Sequence, residues 1–157
     1  MKLTSRQDIE ASADQVFEVL ADFDGWERAA LRRGADVTRI DALRNPGPGM
    51  EWRARFKARG KQREVTLRLT RMDAPSHLAF SFESALVDGT VTVDVFEMAA
   101  SRSRLHLALD VKPRTLAARL MVQSLRLARN KVERRFDNRV AALANDIEAR
   151  IRAKLQS

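Results

Sequence analysis

The order of its segments constrains this chain more than any single motif. A short strand-like stretch, Leu3 to Ile9, comes first and a helical segment follows. A ladder of alternating strands comes next, and from about Pro113 one amphipathic helix runs to the C-terminus. Ser12 stands where a helix N-cap is needed, and Gln15 three residues later completes a capping-box pattern. Val16, Phe17, Val19 and Leu20 then form the apolar side of a short helix. Asp22 to Gly25 is expected to break it. A second helical turn, Trp26 to Arg33, is expected to end at Gly34.

The ladder is read from period-two alternation, which puts one set of side chains inside and the other in water. Ala35 to Leu43 is an expected strand, and Asn45-Pro46-Gly47-Pro48-Gly49 a turn. Met50, Trp52, Ala54, Phe56 and Ala58 then alternate with Glu51, Arg53, Arg55, Lys57 and Arg59, up to a turn at Gly60-Lys61. Val65, Leu67 and Leu69 form the next inner row. After the turn at Asp73-Ala74-Pro75-Ser76 come Leu78, Phe80 and Phe82. A reversal is expected near Asp88-Gly89. Val91, Val93 and Val95 continue the pattern until Phe96 and Met98 break parity, as a bulge or a half-covered outer face would. The last inner row is Leu105, Leu107, Leu109 and Val111, with Arg104, His106 and Asp110 outside. Strands joined by hairpins make an antiparallel sheet with one buried face.

Pro113 suits the first turn of a helix. Met121, Leu125, Ala128, Val132, Phe136, Val140, Leu143 and Ile147 follow as one apolar stripe at three- and four-residue spacing. One helix of about forty residues, roughly 60 Å long, is expected to lie across the sheet and overhang it. Leu116, Leu120 and Leu127 fall well off that stripe. They are either covered by the first strand and short helices, the favoured reading, or left as a face for a membrane or partner. No repeat or linker divides residues 1–157, so one domain is expected.

Composition removes several chemistries. No cysteine is present, so disulfides, thiolate nucleophiles and Cys-ligated metals are excluded. No stretch has the apolar length of a membrane span, and residues Lys2 to Glu10 do not look like a signal peptide. A soluble cytoplasmic protein is the expectation. The net charge is +8. Nine basic residues lie between Lys112 and Arg139 against only Glu133 and Asp137. A second cluster is Arg53, Arg55, Lys57, Arg59, Lys61 and Arg63. These are solvated faces or contact surfaces for anionic membrane or an acidic partner, with residues 112–139 the candidate segment. The Arg-rich strand carries no outward aromatics for base stacking, which argues against nucleic acid.

Catalytic signatures are sparse. There is no phosphate loop, nucleophile elbow or zinc-binding helix motif. The two histidines, His77 and His106, have no acidic residue at metal-ligand or general-base spacing and read as surface histidines. Asp22 and Asp24 could pair for acid–base work, but turn formation is the plainer reading. The assigned inner rows carry no charge, so neither cofactor nor metal is implied. Binding or core packing is favoured over catalysis.

The segment Ile9-Glu10-Ala11-Ser12-Ala13-Asp14-Gln15-Val16-Phe17-Glu18-Val19-Leu20-Ala21-Asp22 resembles the opening of the START/Bet v1-like superfamily, specifically its bacterial SRPBCC or polyketide cyclase/dehydrase group. Ser12 replaces the proline usual there. Trp26, Gly49 with Trp52, and the terminal helix also fit, and the resemblance covers essentially the whole chain. It implies an α+β helix-grip fold, in which a seven-stranded antiparallel sheet curls around the C-terminal helix and leaves a cavity. It also implies an apolar small molecule or lipid as ligand, with a cyclase- or dehydratase-type enzyme as the alternative. The residues expected to line such a cavity are Trp26, Trp52, Ala54, Phe56, Leu67, Phe80, Phe82, Val93, Leu107, Met121, Leu125, Val132 and Phe136.

Overall fold

The computed structural model describes residues 1–157. The chain runs β1 (Lys2–Ile9), α1 (Ala13–Leu20), α2 (Phe23–Arg32), β2 (Asp36–Arg39), β3 (Glu51–Ala58), β4 (Lys61–Asp73), β5 (His77–Ser84), β6 (Val87–Ala99), β7 (Arg102–Pro113), α3 (Leu116–Leu127) and α4 (Arg129–Gln156). The strands form one antiparallel sheet in the order β1-β7-β6-β5-β4-β3-β2. This is the α+β helix-grip architecture.

Local chemistry explains most boundaries. Ser12 caps α1 with Gln15 in a reciprocal box: the Gln15 N–H donates to Ser12 Oγ at 3.2 Å and the Ser12 N–H to Gln15 Oε1 at 3.0 Å. The first helix ends at Leu20 as expected, but Asp22 then caps a new helix at once: its Oδ1 accepts from the Gly25 N–H at 3.2 Å and α2 begins at Phe23. The β3–β4 hairpin closes on Arg59 and Gly60, both at positive φ (54° and 76°), as a two-residue turn matched to strand twist requires. The β5–β6 reversal falls earlier than Asp88-Gly89. It is held by Ser84 Oγ, which donates to the Val87 carbonyl at 2.8 Å and accepts from its N–H at 3.1 Å. Gly89 lies within β6, where a side chain would collide with the Asp110 carbonyl and the Phe82 ring. Of the two residues that break parity, Phe96 stays in register opposite Arg104 on the outer face, and Met98 marks a bulge, where the β6–β7 register slips between Glu97 and Ala99. β2 is shorter than expected, because past Arg39 the chain turns onto Asp41. That carboxylate accepts from Arg39 and from the Leu43 and Glu51 N–H groups. Its pKa is held well below the usual carboxylate range, chiefly by the Arg39 bond.

The C-terminal segment differs most from expectation. Pro113 ends β7, and Thr115 Oγ1 caps a separate helix by accepting from the Ala118 N–H at 3.0 Å. The helix breaks at Ala128 (φ −106°, ψ 32°), whose N–H bonds Leu125 at 3.1 Å in a tightened turn. The apolar stripe keeps its phase across the break, from Ala118 and Val122 to Val140, Ala144 and Ile147, all buried. Arg129, the first residue after the break, is exposed. Arg129 bonds Glu133 at 2.7 Å at the surface. Met121 and Leu125, expected inside, are exposed.

The filled core gathers at one end of the sheet's concave face. Ile9, Leu69, Leu78, Val93, Val95 and Leu105 pack there against Val16, Phe17, Val19 and Leu20 of α1 and against Val140, Ala144, Ile147 and Ile151 of α4. Ser103, wholly buried among them, donates to the Ala11 carbonyl at 2.6 Å and ties β7 to the α1 entry.

Candidate functional site

At the other end the helices do not cover the sheet. Ala54, Phe56, Val65, Leu67, Phe80 and Phe82 belong to inner rows, yet each keeps part of its surface open. The space over them falls into two neighbouring parts. The first is an apolar chamber of about 310 Å³ lined by Leu20, Phe23, Trp26, Glu27, Ala30, Val37, Trp52, Ala54, Leu67, Leu78, Phe80, Val93 and Leu143. The second is a wider mouth between the β3–β4 and β5–β6 hairpin tips, about 810 Å³, where Phe56, Val65, Val87 and Met121 meet Arg59, Arg63 and Arg114. Val65 and Leu67 are adjacent inward positions of β4, so the mouth adjoins the chamber.

The α2 helix builds the chamber's outer wall. The Trp26 Nε1–H donates to the Val19 carbonyl at 2.9 Å, and the Arg150 guanidinium lies 3.8 Å above the ring. The Trp52 ring stacks at a tilt on Phe23, centroids 5.4 Å apart, and its Nε1–H donates to Glu27 Oε1 at 2.6 Å. Glu27 is the chamber's one charged group. The indole bond gives this carboxylate a reason to sit at an apolar wall.

Of the residues expected to line a cavity, Trp26, Trp52, Ala54, Leu67, Phe80 and Val93 lie on the chamber and Phe56 and Met121 on the mouth. Phe82 is half-buried on the same face, with Gly89 opposite it in β6. Leu107 and Phe136 are half-buried against the filled core. Val132 is half-buried too, and Leu125 is at the surface. Sequence reasoning missed Phe23, Glu27 and Leu143, whose position depends on how helices dock. It also missed Arg63, which period-two counting back from Val65 could have placed on the inner row.

The histidines also need correcting. His77 and His106 flank Asp94 across adjacent strands: His77 Nδ1 lies 2.6 Å from Asp94 Oδ1 and His106 Nδ1 3.9 Å from Oδ2. Register brings together what sequence spacing keeps apart. This row lies on the outer face of the sheet, away from the chamber. No three His, Asp or Glu side chains are arranged to hold a metal ion. Asp8, whose pKa is lowered chiefly by its bond to Arg104 and also by Arg102, is likewise on the outer face.

Residues 1–148 match the model of a family described as "Polyketide cyclase / dehydrase and lipid transport". The chain belongs to that family. No curated protein matches it in sequence. Solved structures of the same fold include the Zhui aromatase/cyclase from Streptomyces sp. R1128, with 21% identity, TM-score 0.66, and 92% of this chain and 93% of that one covered. TTHA0849 from Thermus thermophilus is similar at 16% identity and TM-score 0.69, with 98% and 99% covered. A point mutant of norcoclaurine synthase from Thalictrum flavum, in complex with a transition-state analogue, is similar at 14% identity and TM-score 0.72, with 100% and 96% covered. At these identities the likeness speaks for the fold. Within the family, a cleft between sheet and helices suits hydrophobic ligands or cyclase-type substrates.

Proposed function

We propose that this family member binds an apolar small molecule or a lipid in the chamber, without transforming it. One observation carries the reading: the chamber's lining is apolar at every position but Glu27. Its volume lies at the lower end of the range for small-molecule sites. Within the chamber a catalytic role would rest on Glu27 alone: that carboxylate is engaged by the Trp52 indole, and no histidine or second carboxylate joins it in the lining. Acid–base chemistry usually needs a positioned pair.

The test is direct. Freshly purified protein should release an apolar compound on organic extraction, seen beforehand as added mass in native mass spectrometry. An apolar fluorescent probe should bind with low-micromolar affinity or better, about −8 kcal/mol. Ala54 lines the chamber between Trp52 and Phe56 on β3, so Ala54→Trp should fill it and abolish probe binding while the far-UV dichroism stays unchanged. Unaltered probe binding in that variant refutes the site.

A second reading concerns α3, and one observation favours it. Leu116, Leu120 and Leu127 are 74%, 57% and 92% exposed and form one outward ridge opposite the buried Ala118 and Val122. The favoured expectation that they pack against β1 and the short helices is overturned. Arg119 and Arg126 flank the ridge, and Lys131, Arg134 and Arg135 continue its charge onto α4. That combination fits an anionic bilayer surface. Vesicle binding should require acidic lipid and weaken with salt. The double change Leu120→Glu, Leu127→Glu should eliminate it while leaving thermal unfolding where it was.

A further inference from the structure

The inner row of β4 runs Leu69, Leu67, Val65 and then Arg63. In the β3–β4 register Arg63 lies directly across from Phe56, and it is half-buried. Alternation therefore turns a guanidinium toward the concave face where the apolar row reaches water. The other charges at this mouth are placed differently. Glu64, on the outer row, is engaged by Arg53 at 3.0 Å and Arg55 at 3.5 Å. Arg114 donates to the Ser84 carbonyl at 3.0 Å and lies 3.5 Å from Asp88. Glu83 is exposed on the outer row of β5. Arg63 forms no ion pair or hydrogen bond with the rest of the chain, and exposed Arg59 beside it adds a second free cation.

A half-covered guanidinium beside Phe56 loses hydration without gaining a partner, an arrangement that favours an incoming anion. The apolar chamber begins at Leu67, four residues along the same strand, about 13 Å away. Resting on the apolar-binding reading above, we infer that the ligand is an amphipath with an anionic head, a carboxylate or a phosphate monoester. Its tail lies over Ala54, Leu67 and Phe80, and its head meets Arg63 with Arg59 at the rim. The site thereby selects for a charged end as well as for an apolar body.

The experiment is displacement of the bound apolar fluorescent probe by dodecanoate, dodecyl phosphate, dodecanol and inorganic phosphate at pH 8. Dodecanoate and dodecyl phosphate should displace it at about tenfold lower concentration than dodecanol, and inorganic phosphate should not displace it. Arg63→Ala should bring the charged ligands to within about twofold of dodecanol and leave dodecanol unchanged. Arg63→Lys should keep part of the preference, and Arg135→Ala, on the outer face of α4, should keep all of it. Equal displacement by dodecanoate and dodecanol in the unaltered protein overturns the inference and leaves the chamber standing. So does a preference that survives Arg63→Ala or disappears in Arg135→Ala. If no dodecyl compound displaces the probe, the chamber reading fails and the inference fails with it.

Discussion

The two ends of the sheet's concave face use the same kinds of side chain to opposite effect. At the α1 end, Leu69, Leu78 and Leu105 are at most 1% exposed, sealed by α1 and the C-terminal half of α4. At the hairpin end, Phe56, Val65 and Phe82 stand on the same strands or their neighbours, with the same alternation, and remain partly open. The strands do not cause this difference. It comes from the helices above them. α1 presents four apolar residues to the sheet, whereas α3 gives it only Ala118 and Val122 before the chain bends at Ala128. A row of inward-facing apolar residues is therefore a core only where something covers it, and otherwise the wall of a cavity.

Substitutions can break or sharpen that contrast. The largest effect should come from Leu105→Ala, which empties a fully buried position and should cost about 3 kcal/mol in urea unfolding. A cost below about 1 kcal/mol would show that the sealed end is looser than its packing implies. Ser103→Ala should rank next, at roughly 1–3 kcal/mol, because it strands the buried Ala11 carbonyl. Phe82→Ala should cost less than Leu105→Ala, about 1–2 kcal/mol, since part of the ring already faces water. If Phe82→Ala destabilises as much as Leu105→Ala, the two ends are one continuous core and the cavity is an illusion of the side-chain count.

Much of this was legible in the sequence, and for definite reasons. Alternation is a local property, so β3 to β7 and their inner rows followed from residue types alone. The capping box at Ser12 and the bulge at Met98 are also local signals. What could not be read depends on contacts distant in sequence. Glu27 matters only because α2 docks where Trp52 can reach it. The His77–Asp94–His106 row exists only through strand register. The break at Ala128 carries no proline or glycine to announce it, and the expected stripe runs through that position without a gap. Arg63 was readable from Val65 by parity, and its place in a visibly basic cluster hid it.

The strand order has a consequence for how the molecule assembles. Five of the six pairings, β2 to β7, join neighbours in the chain. The sixth brings Lys2 against Asp110 and Ile9 against Ser103, contacts that must wait for nearly the whole polypeptide. Loop closure on that scale is slow, because its entropy is lost before any contact is gained. On this ordering the meander should form first, with β1 arriving as the closing piece and α1 and α4 settling onto it. The end of the sheet that is most tightly sealed in the finished protein is thus the last to be made, and substitutions at Ile9 should register on the unfolding limb of a chevron and leave the folding limb nearly unmoved.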